Sequence, residues 1–333
     1  MIKTIAVLGD GGWGTTLAIH LAGKKYPVTL WGAFEENVAL LRKTRENKKF
    51  LPGHKLPKSI QLTSNIFEAV DGADLILLAT PSEYLEGVLA KLKGGNFKNK
   101  VFLSVVKGIH PKTHQRMSEL IYSYLGKVRL AVLSGPTIAG EVAAGVATTA
   151  VVACSDKKLA DELQDIVHST TFRIYTNNDV IGVEVGGSIK NVIALACGIC
   201  DGLNLGTNAK AAIVTRGLAE IVRFGVAMGG KTQTFYGLTG LGDLTTTCFS
   251  PQSRNRSVGE LLGKGKKIKD ILKSMPQVAE GVVTAQAVYG ISVKHKIAMP
   301  IVEQVYKIVY QGKNPRKAMA DLMNRSVKTE NGS

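Results

Sequence analysis

Residues 4–22, TIAVLGDGGWGTTLAIHLA, decide the fold. An apolar, β-branched run at 4–9 meets a glycine cluster, and helix-forming residues follow. Within the cluster Gly9, Gly11 and Gly14 stand in G-x-G-x-x-G spacing. Gly9 suits a tight turn, Gly11 lets backbone approach a pyrophosphate, and Gly14 lets helix and strand pack closely. The N-terminus of the helix then offers unpaired N–H groups to phosphate oxygens. A second strand candidate, VTLWG at 28–32, follows in order, so the stretch predicts a dinucleotide-binding βαβ unit. The competing reading is a tight βα turn with no ligand. Asp10 is the irregular residue, because its carboxylate would face a pyrophosphate unless it points away.

Further strand candidates are DLILLATP (74–81), VFLSVVKG (101–108), LAVLSGP (130–136), TAVVAC (149–154) and FRIYT (172–176). Continuous apolar strands separated by helical stretches predict an α/β fold, a Rossmann-like doubly wound parallel sheet covered on both faces. From about residue 180 the periodicity becomes helical. The expected organisation is a dinucleotide-binding Rossmann domain at 1–180 and an all-helical substrate-binding domain at 181–333. The terminal KTENGS reads as disordered.

The chain has 333 residues, enough for two cores, and a hydrophobic share of 45% that fits a globular protein. No stretch reads as long enough to span a membrane, and the opening lacks a secretory signal, so a cytoplasmic location is expected. The four cysteines, Cys154, Cys197, Cys200 and Cys248, are too few and scattered for a disulfide framework, and no metal site is expected. A net charge of +16 favours anionic ligands. Its densest run, GKGKKIKDILK at 263–273, has no interleaved aromatics and reads as a solvated helix face rather than a nucleic-acid site. None of the six histidines has an acid adjacent in sequence to orient it.

The candidate chemistry centres on GGSIKNVIALACG, 186–198. On a helix, Lys190 is flanked by Val183, Gly186, Gly187, Ala194 and Cys197, an apolar face nearly bare of bulk. That leaves room for a ligand or another backbone beside a lysine whose pKa burial would lower, as a proton donor to an alkoxide requires. The plainer alternative is a structural lysine capping carbonyls or paired with Glu184. Lys107, at the carboxyl end of a strand, is a second cation where open α/β sheets bind ligands. The loop GLTGLGDLTTTCFSPQSRNRSVG, 237–259, offers Asp243 and the group Ser253, Arg254, Asn255 and Arg256 ahead of a helix expected near Val258. Arginine forks and helix N-termini both suit phosphate. Past the second strand stands Ala33, where an acid for a ribose hydroxyl is customary, with Glu35 and Glu36 close by.

These motifs, with NKKFLPGHKLP (47–57), ATPS (79–82), VVKGI (105–109), SGPT (134–137), NAKAAIVTRGLAEI (208–221) and VAEG (278–281), resemble the bacterial NAD(P)-dependent glycerol-3-phosphate dehydrogenases over essentially the whole chain. The resemblance implies reversible reduction of dihydroxyacetone phosphate to sn-glycerol 3-phosphate with NADH or NADPH, supplying phospholipid synthesis, by a homodimer. It implies Lys190 as proton donor and acceptor, with Lys107, Gly135, Thr137, Asp243, Ser253, Arg254 and Asn255 at the substrate. It places Gly9, Gly11, Gly12, Trp13, Gly14, Ala33, Lys107, Ala139, Arg254, Val278 and Glu280 at the cofactor. The family typically has serine at Gly12 and often a basic residue or histidine at Ala33, so NADP preference is not implied. Two other readings are a hydroxy-acid or phosphogluconate reductase of the same architecture, and a dinucleotide-sensing module without catalysis.

Overall fold

The computed structural model describes residues 2–275, 279–326 and 329–330. Eight strands form one sheet: β1 (Ile5–Leu8), β2 (Val28–Trp31), β3 (Gln61–Thr63), β4 (Leu75–Leu78), β5 (Val101–Ser104), β6 (Arg129–Ser134), β7 (Thr148–Ala153) and β8 (Phe172–Asn177). Their order is β3-β2-β1-β4-β5-β6-β7-β8. The intervening helices are α1 (Gly12–Gly23), α2 (Glu35–Thr44), α3 (Ile66–Asp71), α4 (Ser82–Leu92), α5 (Met117–Leu125), α6 (Ala139–Ala143) and α7 (Lys157–Val167). Alternate residues of one strand enter different cores. Ile5 and Val7 pack with Leu17 and Leu21 of α1, whereas Ala6 and Leu8 pack with Leu85, Leu89 and Ile121 of α4 and α5. Burial on both faces is why these strands carry no polar alternation.

All seven sequence-read strands are present, and the N-terminal Rossmann-like domain stands as expected. Two details differ. β3, with only three residues at the sheet edge, was not foreseen, and β7 runs antiparallel to β6. The β6–β7 connection carries a single five-residue helix, too little for the full crossover that a parallel neighbour needs.

The C-terminal domain is helical: α8 (Val180–Gly202), α9 (Gly206–Ala227), α10 (Thr232–Phe235), a π-helical turn at Leu238–Gly242, α11 (Asp243–Phe249), α12 (Arg254–Gly263), α13 (Ile268–Ser274), α14 (Glu280–Lys294), α15 (Pro300–Gln311) and α16 (Pro315–Met323). Here α8 is the central element, and it corrects the expectation that no stretch is long enough to cross a membrane. Its 23 residues suffice by length and composition, yet 89% of its most apolar window is buried inside the protein.

The small residues of α8 admit backbone. A Cβ on Gly198 would overlap the Arg256 carbonyl oxygen of α12, and one on Gly186 would come within 2.7 Å of the Thr239 carbonyl in the π-helical turn. These approaches bring in the segments that carry Arg254, Asn255 and Asp243. Glu184, the proposed alternative partner of Lys190, faces elsewhere: it accepts from Arg116 Nη1 (2.5 Å), Ser118 N (2.7 Å) and Ser118 Oγ (2.6 Å). It thereby ties α5 of the sheet domain to α8. On α9, buried Glu220 accepts from Ile301 N (2.7 Å) and Val302 N (3.2 Å), capping α15.

Candidate active site

The glycine loop has the shape its spacing predicts. Gly9 has φ +127°, and a Cβ there would lie 2.7 Å from the Ala79 carbonyl oxygen of the neighbouring strand end. A Cβ on Gly14 would overlap the Gly9 carbonyl, whereas one on Gly11 would meet nothing within 4 Å, which leaves open space at the N-terminus of α1. No side chain caps that helix, so its first N–H groups face that space. The residues present thus fit a bound pyrophosphate.

Gly12 is covered by the segment after α2: a Cβ there would lie 2.7 Å from the Phe50 carbonyl oxygen, so the family's serine would not fit this packing. Asn47 of the same segment braces the loop by donating to Asp10 O (2.7 Å) and Thr15 Oγ1 (2.8 Å). Trp13 packs edge-on against Phe172 with centroids 6.2 Å apart, so its ring faces the sheet. Ala139 begins α6, where its carbonyl accepts from Thr16 Oγ1 at 3.0 Å, beside the loop. Ala33 is exposed just past β2. The irregular Asp10 points away from the α1 N-terminus, and its carboxylate accepts from Asn37 of α2.

Two lysines meet across one acid. Lys190 Nζ donates to Asp243 Oδ1 (2.9 Å) and Thr247 Oγ1 (2.7 Å). Lys107 Nζ donates to Asp243 Oδ2 (2.6 Å) and Gly135 O (3.0 Å). Side-chain exposure is 8% for Lys190, 15% for Lys107 and 2% for Asp243. Burial draws the Lys190 ammonium down to about 8; Asp243 opposes this and the charge of Lys107 adds to it. The sheet domain supplies Lys107 beyond β5 and Gly135 beyond β6, while α8 and α11 supply Lys190, Asp243 and Thr247. Gly135 takes φ +145°, and its carbonyl also accepts from Thr137 Oγ1 (3.2 Å). Asp243 follows directly on the π-helical turn, a geometry that often marks functional positions.

The helix expected near Val258 begins earlier, at Arg254, because Ser253 caps it by accepting from Arg256 N at 3.2 Å. The Ser253 oxygen accepts in the cap and its O–H remains able to donate, and the N–H groups of Arg254 and Asn255 lie in the first helical turn. The two arginines part company. Arg256 Nε pairs with Asp201 (2.7 Å), whereas Arg254 is exposed and coupled electrostatically to Glu280 at the start of α14. Burial pushes the Glu280 carboxyl up, against the pull of Arg254, Lys107 and Lys190. Asn255 links α8 to α14 by donating to Asn191 Oδ1 (2.9 Å) and accepting from Gly281 N (2.9 Å). Val278 lies outside the described residues, as do parts of the terminal KTENGS.

Sequence reasoning missed Thr247, Asn191 and Asn47. Their types are ordinary, and only Asn191, next to Lys190, sat in a position that invited attention. Thr80, Ser134, Thr284 and the Asn191 amide each keep a buried polar atom without a protein partner. Such atoms need an explanation, and a polar ligand supplies one. His110 does have an acid, Glu86, 3.3 Å from Nε2, a pairing invisible in sequence because the two lie in separate segments. The four cysteines are free and buried, and no metal-binding group of His, Cys, Asp or Glu occurs among the described residues.

A family profile described as the NAD-dependent glycerol-3-phosphate dehydrogenase N-terminus matches residues 4–160, and its C-terminal counterpart matches residues 179–320. The chain is 47% identical over 325 residues to a glycerol-3-phosphate dehydrogenase (NAD(P)+) of Moorella thermoacetica, covering 98% of this chain and 97% of that one. It is 44% identical to the like-named protein of Chlorobium limicola, over 98% and 99% of the two chains. The crystal structure of glycerol-3-phosphate dehydrogenase from Coxiella burnetii is similar with a TM-score of 0.94 at 37% identity, covering 97% of this chain and 99% of that one. With two domains, a glycine loop and a lysine pair on one acid already in place, these matches are decisive: the chain belongs to the NAD-dependent glycerol-3-phosphate dehydrogenase family.

Proposed function

We propose that this cleft reduces dihydroxyacetone phosphate to sn-glycerol 3-phosphate, reversibly, with Lys190 delivering the proton. The reaction is the one for which the family is named. When bound, the reduced nicotinamide dinucleotide supplies hydride to the central carbonyl carbon. Lys190 Nζ gives its proton to the oxygen of that carbonyl, and the resulting amine stays held by Asp243 and Thr247 until solvent reprotonates it. An ammonium lowered to about 8 is suited to this, since general acids work best when their pKa lies near the working pH.

Lys107 opposes the substrate's negative charge from the strand side. Arg254 and the first N–H groups of α12 hold the phosphate, as guanidinium forks and helix N-termini do. Asn255, bridging α8 and α14, fixes that end of α12, with Gly135 and Thr137 completing the substrate wall. The glycine loop with Ala139 binds the dinucleotide, and Glu280, attracted electrostatically to Arg254, stands on the cofactor side. The dinucleotide-binding domain takes residues 1–180 and the substrate domain 181–333, a division at the very start of α8. Cytoplasmic residence agrees with four unpaired thiols, and a homodimer and a supply of glycerol phosphate for phospholipids follow from the resemblance.

One observation carries the assignment: Lys190, the buried cation, shares Asp243 with Lys107. Replacing Lys190→Ala should lower kcat with dihydroxyacetone phosphate by about 10²–10⁴-fold while the dinucleotide Kd stays nearly constant. Stopped-flow absorbance of the reduced nicotinamide checks this, and a variant with undiminished kcat removes Lys190 from the mechanism.

A further inference from the structure

We infer that Asp10, rather than an acid at the end of β2, reads the adenosine ribose and makes this chain selective for NAD over NADP. The inference rests on the dinucleotide site proposed above. In the common βαβ arrangement an Asp or Glu just past the second strand accepts hydrogen bonds from the ribose hydroxyls. Here Ala33 stands in that place. The acid two positions on, Glu35, is engaged by Arg42 at 2.7 Å and by Ser64. Glu36 follows it, exposed on α2.

Asp10 supplies the missing group from the glycine loop. Its carboxylate lies against the end of β2, with Oδ2 only 2.5 Å from where a Cβ on Gly32 would sit. Only glycine at 32 leaves that room, so the two residues form a matched pair. Asn37, in the first turn of α2, donates to Oδ2. The Asp10 carbonyl is held by Asn47 Nδ2 (2.7 Å) and Thr15 Oγ1 (3.3 Å). Asn37 therefore holds the carboxylate while Asn47 and Thr15 hold the backbone that carries it, and together they set the acid at the crevice between β1 and β2.

The arithmetic of acceptors and charges favours a hydroxyl there. A carboxylate can accept about four hydrogen bonds, and Asn37 uses one, so a vicinal diol can be accommodated. A 2′-phosphate, carrying about −1.5 to −2 charge, would meet the carboxylate directly. The nearby arginines are committed: Arg42 to Glu35 and the Leu62 carbonyl (2.9 Å), Arg45 to the carbonyls of Pro57 and Ile60. Lys49 also acts on Asp10, but it is exposed and lies 5.0 Å from the centroid of the Phe50 ring. A rival reading, recognition of the 2′-phosphate, would draw on this cation.

The test is the Kd of NADH and of NADPH, each measured calorimetrically without substrate, for wild type, Asp10→Ala and Gly32→Ala, with thermal unfolding as the control for folding. Wild type should bind NADH about tenfold or more tightly than NADPH. Asp10→Ala should bring that ratio close to one by weakening NADH and strengthening NADPH. Gly32→Ala, which displaces the carboxylate without removing it, should move the ratio the same way. Equal affinities or a preference for NADPH in wild type would overturn the inference, as would an Asp10→Ala variant that weakens both ligands by one factor. A wild type that binds neither overturns the dinucleotide site itself. NADH selectivity without turnover of dihydroxyacetone phosphate would refute the proposed substrate and leave the role of Asp10 standing.

Discussion

Asp243 serves two ammonium groups at once, one on each carboxylate oxygen, and this gives the site a pH signature. Reduction needs protonated Lys190, so kcat in that direction should fall as pH rises through about 8. The two neighbours act on that limb with opposite sign. Lys107→Ala removes a positive charge and should move the limb to higher pH; Asp243→Asn removes the attracting negative charge and should move it lower. Profiles of kcat against pH for the three proteins check both directions, and a limb that stays fixed in both variants would separate it from Lys190. Lys190 was legible in sequence because a cation among glycines and alanines is conspicuous, and Lys107 because it stands at the carboxyl end of an apolar strand. Thr247 was not, since a threonine in TTT gives no sign which hydroxyl will turn inward, and Asp10 looked like an irregularity until its direction was known.

Among elements, the contact of α8 with α12 is the one on which substrate geometry depends. Gly198→Ala would set a methyl against the Arg256 carbonyl oxygen, and overpacking of this kind costs about 1–3 kcal/mol. Because Arg254 and Asn255 ride on α12, KM for dihydroxyacetone phosphate should rise with little change in dinucleotide Kd, which steady-state kinetics and calorimetry can separate. A second element-level effect lies at α15, where burial raises the capping Glu220 carboxyl from 4.5 to about 7. A raised folded-state pKa contributes stability that is full below pH 4.5 and is lost as pH rises through 7, an effect on the order of 3 kcal/mol for this shift. Urea unfolding between pH 5 and 8 should show that slope in wild type, and Glu220→Gln should flatten it. The strands were readable from apolar runs bounded by turns, but β3 has three residues and no period to detect. The reversal of β7 was hidden too, because an apolar strand looks the same in either direction.

At the scale of the molecule, the sheet domain and the helical domain are joined through buried Glu184 and Arg116. Glu184→Ala would leave the buried Ser118 amide without its acceptor and the Arg116 guanidinium with the more exposed Glu119 as its ion-pair partner, and such a loss costs about 1–3 kcal/mol. The free energy of urea unfolding should drop by that amount, and a loss under about 1 kcal/mol would mean the tie is dispensable. Sequence alone anticipated a Rossmann-like part followed by a helical one, because glycine spacing and the change of hydrophobic period are local signals. It could not place this tie, which joins residues 66 or more positions apart. The apolar length of α8 has one more consequence, felt before the chain is folded. As it leaves the ribosome, this helix offers the insertion machinery a segment of bilayer-spanning length, and a lysine at mid-segment opposes partitioning into lipid by about 2.5–3.5 kcal/mol. The ammonium proposed for proton delivery thus also lowers the tendency of the unburied segment to enter a bilayer.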